Sequence, residues 1–369
     1  MVFENYVKYG FLAKVGFINY NCWPYFGLMA MTLVYNFIPV FIEYLIYKKI
    51  LNSPFFIFAV QSSFCLYILI FPVYVLHKIE IDESVRYVVP IALLLYVILL
   101  LKYISYFQIN HYSRKYKNLY SIKGEVKYPE NITLRNFFYF YFAPTLCYEL
   151  NYPRNSKIRI YFLMKRATEA IFLFQLLNIM SQQWIIPIIK NSIDPFIEND
   201  FIKVFEGTLT LCIPNISMWL IFFYWYFHST LNVVAELLKF GDRDFYRDWW
   251  NATSASYFWR NWNLPVHKWA SRHIYLPMIR HGYSSFSAKC VVFLISAVMH
   301  EYVVSISVGS FNVWIFLGMS AQVPLQIITS KVSNPRYSNA IIWLSLILGQ
   351  PVVYILYYYD YYHKKIANK

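Results

Sequence analysis

The chain has 369 residues, of which 59% are hydrophobic, 21% aromatic and 14% charged, with a formal net charge of +14. That balance is too apolar for the solvated surface of ordinary globular domains, and it has neither the low hydrophobicity nor the charge density of a disordered chain. The five cysteines (Cys22, Cys65, Cys147, Cys212 and Cys290) are spread without a CxxC pair, so neither a zinc site nor a disulfide framework is signalled.

The composition is that of an integral membrane protein with several spans. Met1 to Tyr20 carries Glu4, Lys8 and Lys14 amid apolar residues and lacks a small-residue cleavage site. It therefore predicts a short N-terminal segment over 1–20, not a cleavable signal peptide. A single membrane-embedded domain over 21–369 is expected to follow. A span needs about 20 apolar residues, and eight candidates occur: 22–47, 54–76, 86–107, 167–189, 205–229, 287–308, 313–329 and 340–359. No internal repeat is evident. The expected fold is all-α and polytopic, with about eight transmembrane helices. The 36 Tyr and 32 Phe suit membrane interfaces before they suit ligand stacking. The positive charge suits anionic headgroups or an anionic substrate, and no Lys/Arg-rich run or motif points to nucleic acid.

The loops differ in charge. The stretch 108–166 holds Arg114, Lys115, Lys117, Lys123, Lys127, Arg135, Arg154, Lys157, Arg159, Lys165 and Arg166, and 230–286 holds seven further Lys and Arg. By the positive-inside rule both face the cytosol. The alternate connections carry Glu80, Asp82, Glu83, Asp194, Glu198 and Asp200, and alternation then puts both chain ends on the lumenal side. Sequons at Asn131, Asn215 and Asn251 fall in cytosolic loops or a span, and none is expected to be glycosylated. The loop 230–286 is rich in Trp (Trp249, Trp250, Trp259, Trp262, Trp269). It predicts amphipathic helices at the cytosolic interface, which either anchor the loop or form the mouth of a site.

Within the apolar run 291–307 sit His300 and Glu301, ionisable groups that are expensive at such depth and usually functional. No second His, Cys or Asp lies at helical ligand spacing from His300. A structural histidine or a general base fits better than a metal ligand, and imidazole accepts a proton near pH 7 with little tuning. Glu301 points about 100° away on a helix, so it suits holding a neighbouring helix or orienting a hydroxyl as much as acting on His300. Gln350, between Gly349 and Pro351, could fix the imidazole tautomer or tie helices together. Ser296 lies one turn before His300. A covalent Ser–His mechanism is a competitor without a third group to orient the pair. A proton-coupled transporter is a competitor of another class, and it lacks the expected repeats and paired broken helices.

Phe245-Tyr246-Arg247-Asp248-Trp249-Trp250-Asn251 resembles the signature of the membrane-bound O-acyltransferases that esterify sterols and diacylglycerol. The segments Ala143 to Arg154 and Trp262 to Trp269, and His300-Glu301-Tyr302, are similar to the diacylglycerol branch of that family. The similarity runs from about residue 20 to the C-terminus and is densest from 129 to 355. It implies a fatty acyl-CoA donor, a diacylglycerol acceptor and a triacylglycerol product in the endoplasmic reticulum membrane. Acyl-CoA is then a substrate, and neither cofactor nor metal is implied. Sterol, wax-alcohol or retinol acceptors are the alternatives. The resemblance makes His300 the catalytic histidine and Asn263 its supporting asparagine. Glu301 and Gln350 match positions lining a buried chamber, and Trp262, His267 and Tyr275 lie where acyl-CoA is met. Ser296, Asp248 and Trp249 are further substrate-binding candidates. The family's diacylglycerol enzymes carry a long polar N-terminal tail and nine spans. Here that tail is nearly absent and one apolar segment is missing near 50–54, which puts in question a homodimer contact built on the tail.

Overall fold

The computed structural model describes residues 6–8, 10, 12, 22–79, 88–116, 126–192, 195, 198 and 200–367. Glu80, Asp82, Glu83 and Asp194, on which much of the loop-charge contrast rests, lie outside the described residues, as does most of the segment 1–20. No strand occurs among the described residues, and an isolated antiparallel bridge pairs Arg154 with Phe240.

Along the chain, α1 (Trp23–Tyr47, with a turn at Asn36), α2 (Pro54–Lys78) and α3 (Val89–Lys115) are followed by a short helix α4 (Leu134–Phe142). Then come α5 (Ile160–Asn191) and α6 (Phe201–Leu237), each containing a wide π turn, at Ser181–Ile185 and Tyr224–Thr230. The loop after α6 carries α7 (Ala255–Trp262) and α8 (Leu264–Ala270), the latter running on through a third π turn, Ser271–Tyr275. The rest of the chain forms α9 (Ser285–Val308), α10 (Trp314–Ser320), α11 (Gln322–Lys331) and α12 (Pro335–Ala367). Seven of the described helices (α1, α2, α3, α5, α6, α9 and α12) are long and apolar enough to cross a membrane.

The expected span at 313–329 is not one helix. It breaks at Ala321 into α10 and α11, because Pro324 has no N–H to give the Ser320 carbonyl and its ring displaces that carbonyl. The pair nonetheless joins the same two ends of the bundle as α12. At one end Asn312 Nδ2 and Trp314 Nε1 both donate to Asp360 Oδ2 at 2.7 Å. At the other, Ala255 N donates to Thr329 Oγ1 at 3.0 Å, and Asn339 Nδ2 donates to the Trp250 and Ala252 carbonyls at 3.0 Å. The second end also carries the two basic loops and is called the basic end below.

Helix α3 is the most enclosed: 61% of its apolar window is buried, against 17% for α2, α5 and α9. The core around it is built from tyrosines, while many other aromatics, Phe55, Tyr161 and Phe201 among them, are exposed. Tyr25, Tyr96, Tyr103, Tyr106 and Tyr148 are fully buried beside Phe137 and Phe140. Buried phenols need acceptors. Tyr96 donates to the Leu28 carbonyl at 2.9 Å, Tyr103 to Asn36 Oδ1 at 3.0 Å and Tyr148 to Asn136 Oδ1 at 2.6 Å. A buried lysine completes this core. Lys102 Nζ donates to the carbonyls of Phe140, Tyr141 and Ala143 at 2.7, 2.9 and 2.8 Å. Its three N–H groups thus satisfy carbonyls that the end of α4 leaves without intrahelical partners, and they fix where the segment from Ala143 onward begins.

Candidate active site

Helix α9 starts where the Ser284 hydroxyl accepts from Ser287 N at 3.0 Å, and ends at Gly309, whose φ of 74° only glycine adopts cheaply. Between those caps the helix has two separate accessible faces. Leu294, Ile295 and Val298 form an exposed apolar face suited to lipid. Lys289, Phe293, Ser296 and His300 form the other, with Lys289 and His300 exposed and the middle two half-buried. At 100° per residue these four lie within about 60° of one another, and buried Ala288 and Ala297 separate them from the apolar face. The second face thus runs accessible from the basic end to His300. The distance from Lys289 to His300 is about 16 Å at 1.5 Å per residue.

His300 Nδ1 lies 2.7 Å from the Ser296 carbonyl oxygen. A carbonyl only accepts, so Nδ1 carries a proton, and in the neutral ring Nε2 holds the lone pair. The Ser296 hydroxyl is 3.4 Å from the same Nδ1, which has no lone pair to take its proton. This geometry gives no Ser–His nucleophile pair and leaves Nε2 as the nitrogen that can act as a base whenever the ring is neutral.

Neither Glu301 nor Gln350 is hydrogen-bonded to His300. The Glu301 carboxylate accepts from the Ser305 and Tyr357 hydroxyls and from Phe316 N at 2.9 Å. It therefore joins α9 to α12 and caps the first turn of α10, where a negative charge is favoured. Gln350 Oε1 accepts from Asn215 Nδ2 at 3.0 Å, linking α12 to α6. The imidazole tautomer is set by the carbonyl of its own helix and not by Gln350.

At the basic end, Trp262 and Trp249 are parts of one aromatic nest. Trp262 stacks on Trp219 at 4.8 Å and 10°, and Trp249 meets Trp219, Phe223 and Phe258 edge-on. Asp248 accepts from the Tyr257 hydroxyl at 2.6 Å, which raises the phenol's pKa and ties the signature segment to α7. Asn263 caps α8: its Oδ1 accepts from Val266 N at 3.2 Å, so its Nδ2 is the end of the amide left to donate elsewhere. His267 is held below its ordinary pKa by burial and then by Arg260. Tyr275 shares a hydrogen bond of 3.0 Å with Ser285 at the start of α9.

A polar cavity of about 390 Å³ opens beside α8, lined among others by Thr145, Cys147, Glu149, Tyr152, Lys268 and Arg272. Arg272 pairs with Glu149, and Lys268 with Asp242 at 3.0 Å. Burial pushes the Cys147 thiol up to about 11, so it stays protonated. None of the site residues expected from sequence lines this cavity.

Sequence inspection passed over Lys102, and it singled out Asn215 only as a sequon and Trp259 only as an interfacial aromatic. Lys102 was findable as a cation inside an apolar run. Asn215 and Trp259 act across elements: Asn215 holds Gln350, and Trp259 touches both α9 and α11 through Phe293 and Gln322.

The sequence profile of the membrane-bound O-acyltransferase family matches residues 86–359. Among curated proteins, diacylglycerol O-acyltransferase 1 of Bos taurus is 49% identical over 309 residues, covering 80% of this chain and 63% of the cattle protein. The Homo sapiens protein of that name is 49% identical over 282 residues, 74% of this chain and 58% of its own length. Diacylglycerol O-acyltransferase 1B of Glycine max is 36% identical over 382 residues, 99% of this chain and 74% of the soybean protein. The chain thus spans about three-fifths of the length of these mammalian relatives. With the profile covering most of the helical bundle and the soybean relative matched along nearly the whole chain, the chain belongs to the membrane-bound O-acyltransferase family.

Proposed function

We propose that this multi-pass membrane protein transfers a fatty acyl group from acyl-CoA to the hydroxyl of diacylglycerol, forming triacylglycerol in the endoplasmic reticulum membrane. The observation that carries this is the His300 imidazole, protonated on Nδ1 and with Nε2 free, at the inner end of an accessible helix face. An alcohol is a poor nucleophile until a base within hydrogen-bond reach takes its proton as the new bond forms. In the proposal His300 Nε2 takes that proton while the hydroxyl oxygen attacks the thioester carbon. The carbon–sulfur bond then breaks, and the imidazolium returns the proton to the CoA thiolate. Nδ1–H remains bonded to the Ser296 carbonyl throughout, which holds the ring in place.

The thioester oxygen gathers negative charge in the tetrahedral intermediate, and a donor fixed in advance is worth most in a dry site. Asn263 is the candidate donor, since its cap on α8 commits Oδ1 and leaves Nδ2 available. CoA is highly charged and belongs at the basic end, where Lys289 stands on the same face as His300. Trp262, His267, Tyr275, Asp248 and Trp249 would shape that mouth, and Glu301 and Gln350 would hold the walls of the chamber together. Diacylglycerol and the acyl chain would arrive from lipid. A homodimer of such units is compatible with this reaction but not required by it.

Acceptor identity is tested by competition. Purified protein in lipid nanodiscs receives one labelled acyl-CoA with equimolar diacylglycerol, sterol, wax alcohol and retinol. Triacylglycerol should take up most of the label. A predominance of sterol ester would move the chain to the sterol branch of the family. Dissipation of a proton gradient with no ester formed would favour a transporter.

A further inference from the structure

We propose that Trp259 and Phe293 form a collar over the accessible face of α9 that leads to His300, and that it keeps water from the thioester. The inference rests on the acyl transfer proposed above. Phe293 is on the accessible face of α9, between Lys289 and Ser296, seven residues and about 10 Å before His300. Trp259 reaches it from α7, with ring centroids 5.8 Å apart and planes at 84°. The same indole donates its N–H to Gln322 Oε1 at 3.2 Å.

Gln322 is the first residue of α11, directly after the break at Ala321. The collar is thus built where three elements meet: the amphipathic helix of the loop, the histidine helix and the broken helix. Its mount is firm, because Ser256 Oγ donates to Gln326 Oε1 at 3.0 Å and Ala255 N to Thr329 Oγ1 at 3.0 Å, pinning α7 along α11. Both rings are only half-buried, so each keeps a side towards open space. An edge-on aromatic pair at that level presents apolar surface to anything approaching His300 from the basic end.

Water exclusion matters because the imidazole that deprotonates an alcohol would equally deprotonate water. In that side reaction the water oxygen bonds to the acyl carbon, the carbon–sulfur bond breaks, and the proton ends on the CoA sulfur. The products are a free fatty acid and CoA. A closed collar suppresses this route without slowing transfer to an alcohol that enters from the lipid side.

The test uses the full chain in nanodiscs with oleoyl-CoA and diacylglycerol, measuring triacylglycerol and free oleate in the same reaction. Trp259→Ala and Phe293→Ala should each raise the ratio of oleate to triacylglycerol on the order of tenfold. Trp259→Phe, which keeps an aromatic edge but loses the bond to Gln322, should raise it less. A residue that only supports folding would lower both products together, so an unchanged ratio in both alanine variants overturns the collar. If Trp259→Ala fails to reach the membrane, Phe293→Ala decides alone, since it opens the same gap from α9. Wild-type protein that forms no ester at all would instead overturn the acyl-transfer proposal, and the collar with it.

Discussion

His273 and His300 show how placement gives one residue type two different characters. His300 stands on an accessible face with its Nδ1 proton committed to a carbonyl and Nε2 open. His273 is buried in the π turn after α8, with Nδ1 2.7 Å from Gln108 Oε1 and Nε2 buried without a partner. Burial, and then Arg272, hold its pKa down to about 4 from an ordinary 6.5. The folded state therefore refuses a proton that the unfolded chain accepts. Stability is complete above pH 6.5 and is lost as the pH falls from there to about 4, by about 3 kcal/mol at most. Thermal unfolding of His273→Gln in detergent should show a shallower acid decline over that window than wild type. An identical decline would assign the acid sensitivity to other groups. The contrast was half-legible. An ionisable group in the apolar run 291–307 announces itself by its cost, whereas His273 sits in a polar-looking loop whose burial depends on α3.

At the scale of elements, continuous apolar runs were readable and their interruptions were not. The runs that became α1, α2, α3, α9 and α12 stood out because each exceeds the length a span needs. The stretch 313–329 met the same criterion, but Pro324 breaks it, and the break supplies the first turn on which Gln322 is mounted. The end of α4 depends on a partner distant in sequence. Lys102 spends all three donors on the carbonyls of Phe140, Tyr141 and Ala143. Lys102→Met keeps much of the apolar stem and strands those acceptors, each worth about 1–3 kcal/mol when buried and unmet. The expected result is a melting temperature lowered by several degrees, with protease cleavage appearing near 143–154. A melting temperature equal to wild type would mean that the three carbonyls find other donors.

For the whole molecule, seven of the described helices are long and apolar enough to cross a membrane, and the broken pair α10–α11 runs between the ends that α12 also joins. Family membership was legible from the signature segment and from His300. The accessible polar face of α9 was not, because it depends on which neighbours bury Ala288 and Ala297 and which leave Lys289, Phe293, Ser296 and His300 open. The direct test is acyl transfer by purified His300→Ala protein, inserted and folded as wild type, with acyl-CoA and diacylglycerol. Deprotonation by His300 predicts no detectable triacylglycerol. Turnover near the wild-type rate would contradict it and shift the chemistry to another group.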